Sequence, residues 1–583
     1  MRAAARCFNF SRRRISVPRW VLAFLLCVCF QGASPAQAAN EVVLFHGKVF
    51  TGDPEHPYAE AVAIRDGKIV AVGNRGDVSK AVASDAKFID LKGDFLMPGL
   101  IDSHCHAIGG GLLLIAAIVG EETRTMDQLV AFAADAKKSE RGMHGDILIV
   151  SGVPLAFWSK NKELNDRFNS GPYAGQPVLL EGMDHHTAWA NRALLKRAGI
   201  TKEFIRGLDS VGRGYYGYGP DFEPNGFLVD VGSDKARSVV PKPSDDQMLA
   251  AGRAAVQYMH EQGITAWLDA AASEEILTTY RHLAERGELN VHIAALPVID
   301  FKSGHTEQQL ATALKWREEY KNVPGVKIVG IKVFADGVVE YPSQTAVLSK
   351  PYRNTGRNGE LLFDPAEFAK IAIAADKQGL LVHVHAIGDR AVTEALNGFE
   401  AVRKANGNSG LPDTITHLQF VRPEDIPRFH ELGVIASFQL YWASAMTDTI
   451  ELVKPYIDPT LYEWQYPARS ILDAGGVIAG ASDWPVSTAN PFRAIYQAET
   501  RKGLEGVLDA SQRVPREAML FAYTRNAALA LADQDQIGSI APGKQADFAL
   551  LDRDVLTVSA EQARDTKVLW TVVGGKTVYG AQP

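Results

Sequence analysis

Between residues 98 and 531, short apolar runs alternate with longer stretches of helical periodicity, the texture of parallel strands interleaved with helices. Eight such runs predict strands, ending near His106, Asp269, Val298, Phe334, His385, His417, Phe438 and Asp483. Eight is the number a (β/α)8 TIM barrel requires, and residues at those ends would share its catalytic face. The expected fold is therefore α/β, with the barrel at 98–531. Spacing is irregular at one point: 156 residues (107–262) separate His106 from the run at 263–269, where a helix and its loops need only a few tens. An inserted cap is expected there, over about residues 110–250.

The pattern changes at both ends. From 39 to 97 short alternating runs are broken by turn signals. Arg65-Asp66-Gly67-Lys68 between two apolar runs predicts a hairpin. The same texture returns over 532–583, in Phe548-Ala549-Leu550-Leu551 and Val568-Leu569-Trp570-Thr571-Val572-Val573. Two β-rich ends around one barrel suggest a small β-sandwich assembled from both termini. Ahead of them, residues 1–38 read as a secretory signal peptide: arginines at 2, 6, 12, 13, 14 and 19, an apolar run from Trp20 to Phe30, then Ala36-Gln37-Ala38 as a small-x-small cleavage site. That run is short of the roughly 20 residues a bilayer span needs, so no stable membrane anchor is expected. The mature chain is placed in the periplasm or outside the cell. Ser11-Arg12-Arg13-Arg14-Ile15 fits either a twin-arginine signal or an ordinary Sec signal.

Cleavage alters the charge. Of 61 Lys and Arg, six leave with the signal, so 55 face 68 Asp and Glu and the net charge moves from −7 to −13. Such an acidic chain gives no support to nucleic-acid partners or to an anionic membrane surface, and a small-molecule substrate is the expected partner. Composition leaves self-association into a homo-oligomer open. Cys7, Cys27 and Cys29 also leave, and Cys105 alone permits no intrachain disulfide.

Chemistry enters at the strand ends. In Leu100-Ile101-Asp102-Ser103-His104-Cys105-His106 the two histidines are spaced i, i+2 on an extended run, so their imidazoles share a face and suit one metal. Cys105 points the other way and reads as a small buried residue. Lys332, His385, His417 and Asp483 sit at the ends of later runs, in an order that suits a pair of divalent ions at a barrel mouth. Lys332 lies in a strongly apolar run, where a bare ammonium is costly. Its structural alternative is a buried pair with Asp336 or another acid.

Met97-Pro98-Gly99-Leu100-Ile101-Asp102-Ser103-His104-Cys105-His106 resembles the first-strand signature of the amidohydrolase superfamily. Ile331-Lys332-Val333-Phe334-Ala335-Asp336-Gly337, His383-Val384-His385-Ala386-Ile387-Gly388-Asp389 and Gly480-Ala481-Ser482-Asp483-Trp484-Pro485 resemble its amidohydrolase-3 branch, which includes N-substituted formamide deformylase. The resemblance implies a metal-dependent amidohydrolase binding two divalent ions, with zinc expected. His104, His106, Lys332, His385, His417 and Asp483 would be the ligands, Lys332 as a carboxylated bridging lysine. A metal-bridging hydroxide would attack the amide, with Asp483 as proton shuttle. His383 reads as a packed or supporting histidine behind His385. Thr416 stands where the family commonly has an acid. Within the cap, Asp184-His185-His186-Thr187 resembles a segment whose histidine approaches the substrate, which assigns His186 to substrate contact. Trp189, Tyr441 and Trp484 are candidate apolar walls. The alternatives are an ester or lactone hydrolase or a ring deaminase of the same superfamily, and a non-catalytic binding protein on this scaffold. Ring deaminases typically lack the bridging lysine and carry a glutamate soon after the fifth-strand histidine, whereas here Lys332 is present and Ala386-Ile387-Gly388-Asp389 follows His385.

Overall fold

A computed structural model describes residues 41–583 except 120–122, 124, 183–186 and 342. The expected signal peptide and His186 therefore lie outside the described residues.

Eight strands carry the middle of the chain: β1 (Leu100–Cys105), β2 (Ile264–Asp269), β3 (His292–Ala295), β4 (Gly330–Phe334), β5 (Leu381–Ala386), β6 (Thr414–His417), β7 (Ile435–Phe438) and β8 (Ile478–Gly480). β1, β2 and β3 pair in parallel and in sequence order, and Val326–Ile328 extends that sheet beyond β3. β4 to β8 form a second parallel sheet, also in sequence order. Backbone bonds cross both gaps between the two sheets. Lys332 donates to Pro297 at 2.9 Å and accepts from Ile299 at 2.9 Å. On the other side Asp483 donates to His104 at 2.8 Å, and His106 to Trp484 at 2.8 Å. β1, β2, β5 and β6 are buried along their whole length. That is why they read as near-continuous apolar runs and not as alternating ones.

Helices cover the strands for reasons visible in the sequence. Asp245–Glu261 starts at a Ser244 capping box with Gln247 and buries Leu249, Ala251, Ala255, Val256 and Met259 on one stripe. It packs against Ala107–Ile115, which follows β1, and the approach is set by glycine. A Cβ on Gly111 would lie 2.0 Å from the carbonyl oxygen of Ala251. The two helix backbones meet only because that position is bare.

Between these helices the chain builds a six-stranded sheet of its own, from Met143–His144 to Pro224–Val229. Phe157, Phe168, Tyr173 and Trp189 fill one apolar cluster on it, and Leu194, Ile200 and Tyr216 belong to another. Trp189 is thus fully buried inside this insert, contrary to the expectation of a substrate wall. Aromatic bulk on a strand paired from both sides goes into packing.

The chain ends do meet. Glu41–Phe50, Tyr58–Arg65, Lys68–Gly73, Lys87–Asp90 and Phe95–Pro98 join Phe548–Leu551, Val568–Val573 and Lys576–Gly580 in one eight-stranded sheet, stitched where Phe95–Pro98 runs antiparallel to Phe548–Leu551. The hairpin at Asp66-Gly67 forms, both residues taking positive φ of 50° and 80° as a tight two-residue turn requires. The expected assembly from both termini is seen as one continuous hydrogen-bonded sheet.

Gly111→Ala is expected to lower the thermal midpoint, with a cost of about 1–3 kcal/mol as for other overpacked sites. Gly207→Ala, where an added Cβ meets nothing within 4 Å, serves as the control. Equal midpoints for the two variants, read by circular dichroism, would contradict the packing account.

Candidate metal centre

Parallel strands place their last residues on one rim, and that rim gathers all six side chains singled out from the sequence around one cavity. His104 and His106 end β1, Lys332 lies in β4, His385 in β5 and His417 closes β6. Asp483 follows β8. Together they line a cavity of about 410 Å³. Potential ligand atoms of His104, His417 and Asp483 all lie within 4.8 Å of one another. Asp483 Oδ1 is 3.4 Å from His104 Nε2 and 3.2 Å from His106 Nε2. The rings of His385 and His417 are 4.4 Å apart, and His417 stacks on Trp442.

Two of these residues have unusual backbones. His417 has φ 76° and Asp483 φ 56°, left-handed values that non-glycine residues seldom adopt. Such strain persists where surrounding bonds fix the chain. Here Asp102 does much of the fixing. Its buried carboxylate accepts from the backbone N–H of His104 (3.1 Å) and of Ser482 (3.0 Å), and from Ser482 Oγ (2.5 Å). Burial pushes its pKa up to about 7 even though the Ser482 and His104 bonds pull it down. One carboxylate thus couples the first strand to the loop bearing Asp483. Ser103 Oγ adds a bond to the Gly480 carbonyl, 2.9 Å, and a contact with Ser437 Oγ at 2.9 Å.

Several buried polar atoms of these residues have no hydrogen-bond partner among the described residues: His104 Nε2, Lys332 Nζ, His417 Nδ1 and Asp483 Oδ1. Leaving one such atom unpaired costs on the order of 1–3 kcal/mol, and a cluster of them around one space is the mark of a cation site. The donor set is imidazole and carboxylate, which suits zinc and its neighbours. The residues present therefore fit a divalent metal centre.

Lys332 is fully buried. Its ammonium has no hydrogen-bond partner and lies 4.7 Å from the centroid of the Phe334 ring. The alternative pair with Asp336 does not form. Asp336 accepts instead from the backbone N–H groups of Val347 (2.9 Å), Ile387 (3.0 Å) and Gly388 (2.8 Å), and lies 3.6 Å from His385. Burial brings Lys332 down to about 7, against a small opposing pull from Asp483, so the amine is readily neutral. Burial likewise drives His385 to about 3 and His104 and His417 well below their usual value, with Lys332 adding to each shift. Neutral imidazoles are what a metal needs. Asp483 is pushed up by burial but ends below the usual carboxylate range, because His106, 3.2 Å away, and His417 both lie close.

His383 sits behind His104, with Nε2 2.7 Å from His104 Nδ1. For His104 to offer Nε2 to the cavity, its Nδ1 must carry the proton and donate it to His383. Cys105 turns away into the main core, as its strand position dictates. Thr416 Oγ1 accepts from Gln439 Nε2 at 3.1 Å. The cavity walls come from residues the sequence did not single out: Val338, Glu340, Gln419, Trp442, Tyr466 and Val486. Trp484 stacks on Tyr258 beside the helix after β1, and neither it, nor Tyr441, nor Trp189 lines the cavity.

The sequence matches the amidohydrolase family over residues 87–579. This chain belongs to the amidohydrolase family. As a member it is a hydrolase acting on carbon–nitrogen bonds. This amidohydrolase is 28% identical to protein LONG AFTER FAR-RED 3 of Arabidopsis thaliana over 94% of its own length and 92% of that chain. It is 24% identical to the N-substituted formamide deformylase of Arthrobacter pascens, over 93% and 98%. Among solved structures it is similar to an uncharacterized metal-dependent hydrolase from Pyrococcus horikoshii, with TM-score 0.70 and 24% identity over 89% of this chain and 99% of that one. The likeness gives the amidohydrolase a TIM-barrel-like α/β fold.

Lys332 sets a pH dependence in the metal-free protein. Its amine titrates near 7 when folded and near 10.5 when unfolded, so between those values the unfolded chain binds more protons and stability rises with pH. Lys332→Met is expected to flatten that rise and to raise the thermal midpoint at pH 6, where the buried ammonium costs most. An unchanged rise between pH 7 and 10 would contradict the assignment.

Proposed function

We propose that this chain is an exported, binuclear, metal-dependent amidohydrolase that cuts an amide or related carbon–nitrogen bond of a small molecule. The observation that carries the reading is Lys332: a buried, partnerless amine whose charge is felt by His104, His385 and His417 alike. A lysine there has no structural use as an ammonium. As a carbamate it would be a bidentate anion between two cations, with His104 and His106 on one and His385 and His417 on the other. The backbone bonds on both sides of the two parallel sheets support a closed (β/α)8 barrel, and the insert carrying Trp189 serves as its cap.

His104, His106, Lys332, His385, His417 and Asp483 would hold the ions, whose Lewis acidity would activate a water near neutral pH and polarise the scissile carbonyl. The chain's own groups do the rest. Asp483, held ionised by His106, accepts the proton that the attacking water loses and returns it to the departing nitrogen. Asp102 and Ser482 keep its loop in the left-handed turn that aims the carboxylate. His383 fixes the tautomer of His104. Trp442, Phe334 and Tyr466 shield the cavity, which favours charge stabilisation over bulk-solvent screening. His186 is assigned to substrate contact from the cap, and the amino-terminal segment, read as a signal peptide, supports export beyond the inner membrane.

Asp483→Asn is expected to keep most bound metal and to lower turnover by about 10²–10⁴-fold, the usual worth of a general acid-base. Turnover close to that of the unaltered enzyme on an N-formyl or N-acetyl amine would remove Asp483 from the proton role. His383→Leu should weaken metal retention during dialysis against a chelator, while His383→Gln, which keeps an acceptor, should largely restore it. Equal retention in both variants would leave His383 as mere packing.

A further inference from the structure

Past the histidines the cavity continues to a wall with no part in the chemistry above. Glu340, Gln419 and Asp448 lie on it, beside Trp442 and Tyr466. Glu340 is half-buried, and its pKa is raised by burial and then by the charge of Asp448. Among the described residues no lysine, arginine or histidine forms an ion pair with either carboxylate, and no cation contributes to the shift of Glu340. The buried Arg501 near Tyr466 is committed elsewhere: it donates to the carbonyls of Gln465 (2.9 Å) and Tyr466 (3.2 Å). Two like charges therefore face one space with no cation to offset them.

Gln419 is a second and independent sign. It is 2% exposed and lines the same wall, yet its amide nitrogen has no partner at hydrogen-bond distance. It lies near enough to Glu340 to draw that pKa down a little, but the geometry of a bond is absent. A protein that leaves a buried donor unpaired beside a carboxylate without a counter-charge has left room for a ligand to satisfy both.

We propose that this wall binds a cationic group, an ammonium or guanidinium, at the non-reacting end of the substrate, so that the preferred substrates are amides carrying a basic amine. The cation sits between Glu340 and Asp448 with the rings of Trp442 and Tyr466 alongside, an arrangement that binds cations on both charge and ring quadrupole. Gln419 donates to an acceptor on the same ligand. The inference deepens the hydrolase reading and rests on it for the reacting end alone.

The test compares N-acetyl-1,5-diaminopentane, which carries an ammonium, with neutral N-acetylpentylamine on the metal-loaded full chain. Hydrolysis is followed as kcat/KM and binding by calorimetry. The cationic compound is expected to be favoured at least about tenfold, the scale of one charge-assisted contact. Glu340→Gln should bring that ratio toward one. Asp448→Asn, at an exposed position, should lower it too and covers the case in which the Glu340 variant fails to fold. Equal use of the two compounds, with amide cleavage intact, overturns the cation wall and leaves the hydrolase reading standing. Tighter binding of the cation, lost in Glu340→Gln, with neither compound cut, supports the wall and counts against the hydrolase reading. A ratio unchanged in both variants, or no binding of either compound, overturns the proposal.

Discussion

A lysine amine buried in an apolar strand needs a partner to offset its desolvation, and among the described residues no side chain provides one. Lys332 is fully buried with no hydrogen-bond partner, while Asp336, the acid nearest in sequence, is occupied by three backbone N–H groups. Burial holds the amine near neutrality instead. Around it stand imidazole and carboxylate atoms that also lack partners. The described residues leave all of these atoms unsatisfied, and the proposed divalent centre with a carboxylated Lys332 would satisfy them together.

Precision at that centre comes from strand ends and from the bonds behind them. Asp102 reaches both His104 and the Ser482 turn, so that ligands from the first strand and from beyond the eighth are set by one carboxylate. His104 is positioned again by His383. Positive φ at Asp483 is held by such contacts, and His417, also at positive φ, lines the cavity with it. Chemistry is thus placed by rigid strands, while the cavity wall farther out is left to loops.

That division explains what could be read in advance. Each strand is a short apolar run buried on both faces, so its end is visible in sequence, and His104, His106, Lys332, His385, His417 and Asp483 meet because parallel strands end on one side. Asp102 and His383 lie inside the same runs, each two residues before a candidate ligand histidine. Glu340, Gln419, Asp448 and Tyr466 were not legible, since loop residues come together only through folding and carry no period. Aromatic identity misled for the same reason: Trp189 is core to the insert and Trp484 packs on Tyr258, whereas Trp442 forms the wall. At the termini, alternation indicated the strands, which join across the two ends of the chain in one hydrogen-bonded sheet.

Anomalous scattering from crystals of the zinc-loaded full chain tests the central claim most directly. The account requires two peaks, one beside His104 and His106 and one beside His385 and His417, with electron density continuing past Lys332 Nζ to bridge them. A single peak, with Lys332 ending at an unmodified amine, would contradict it.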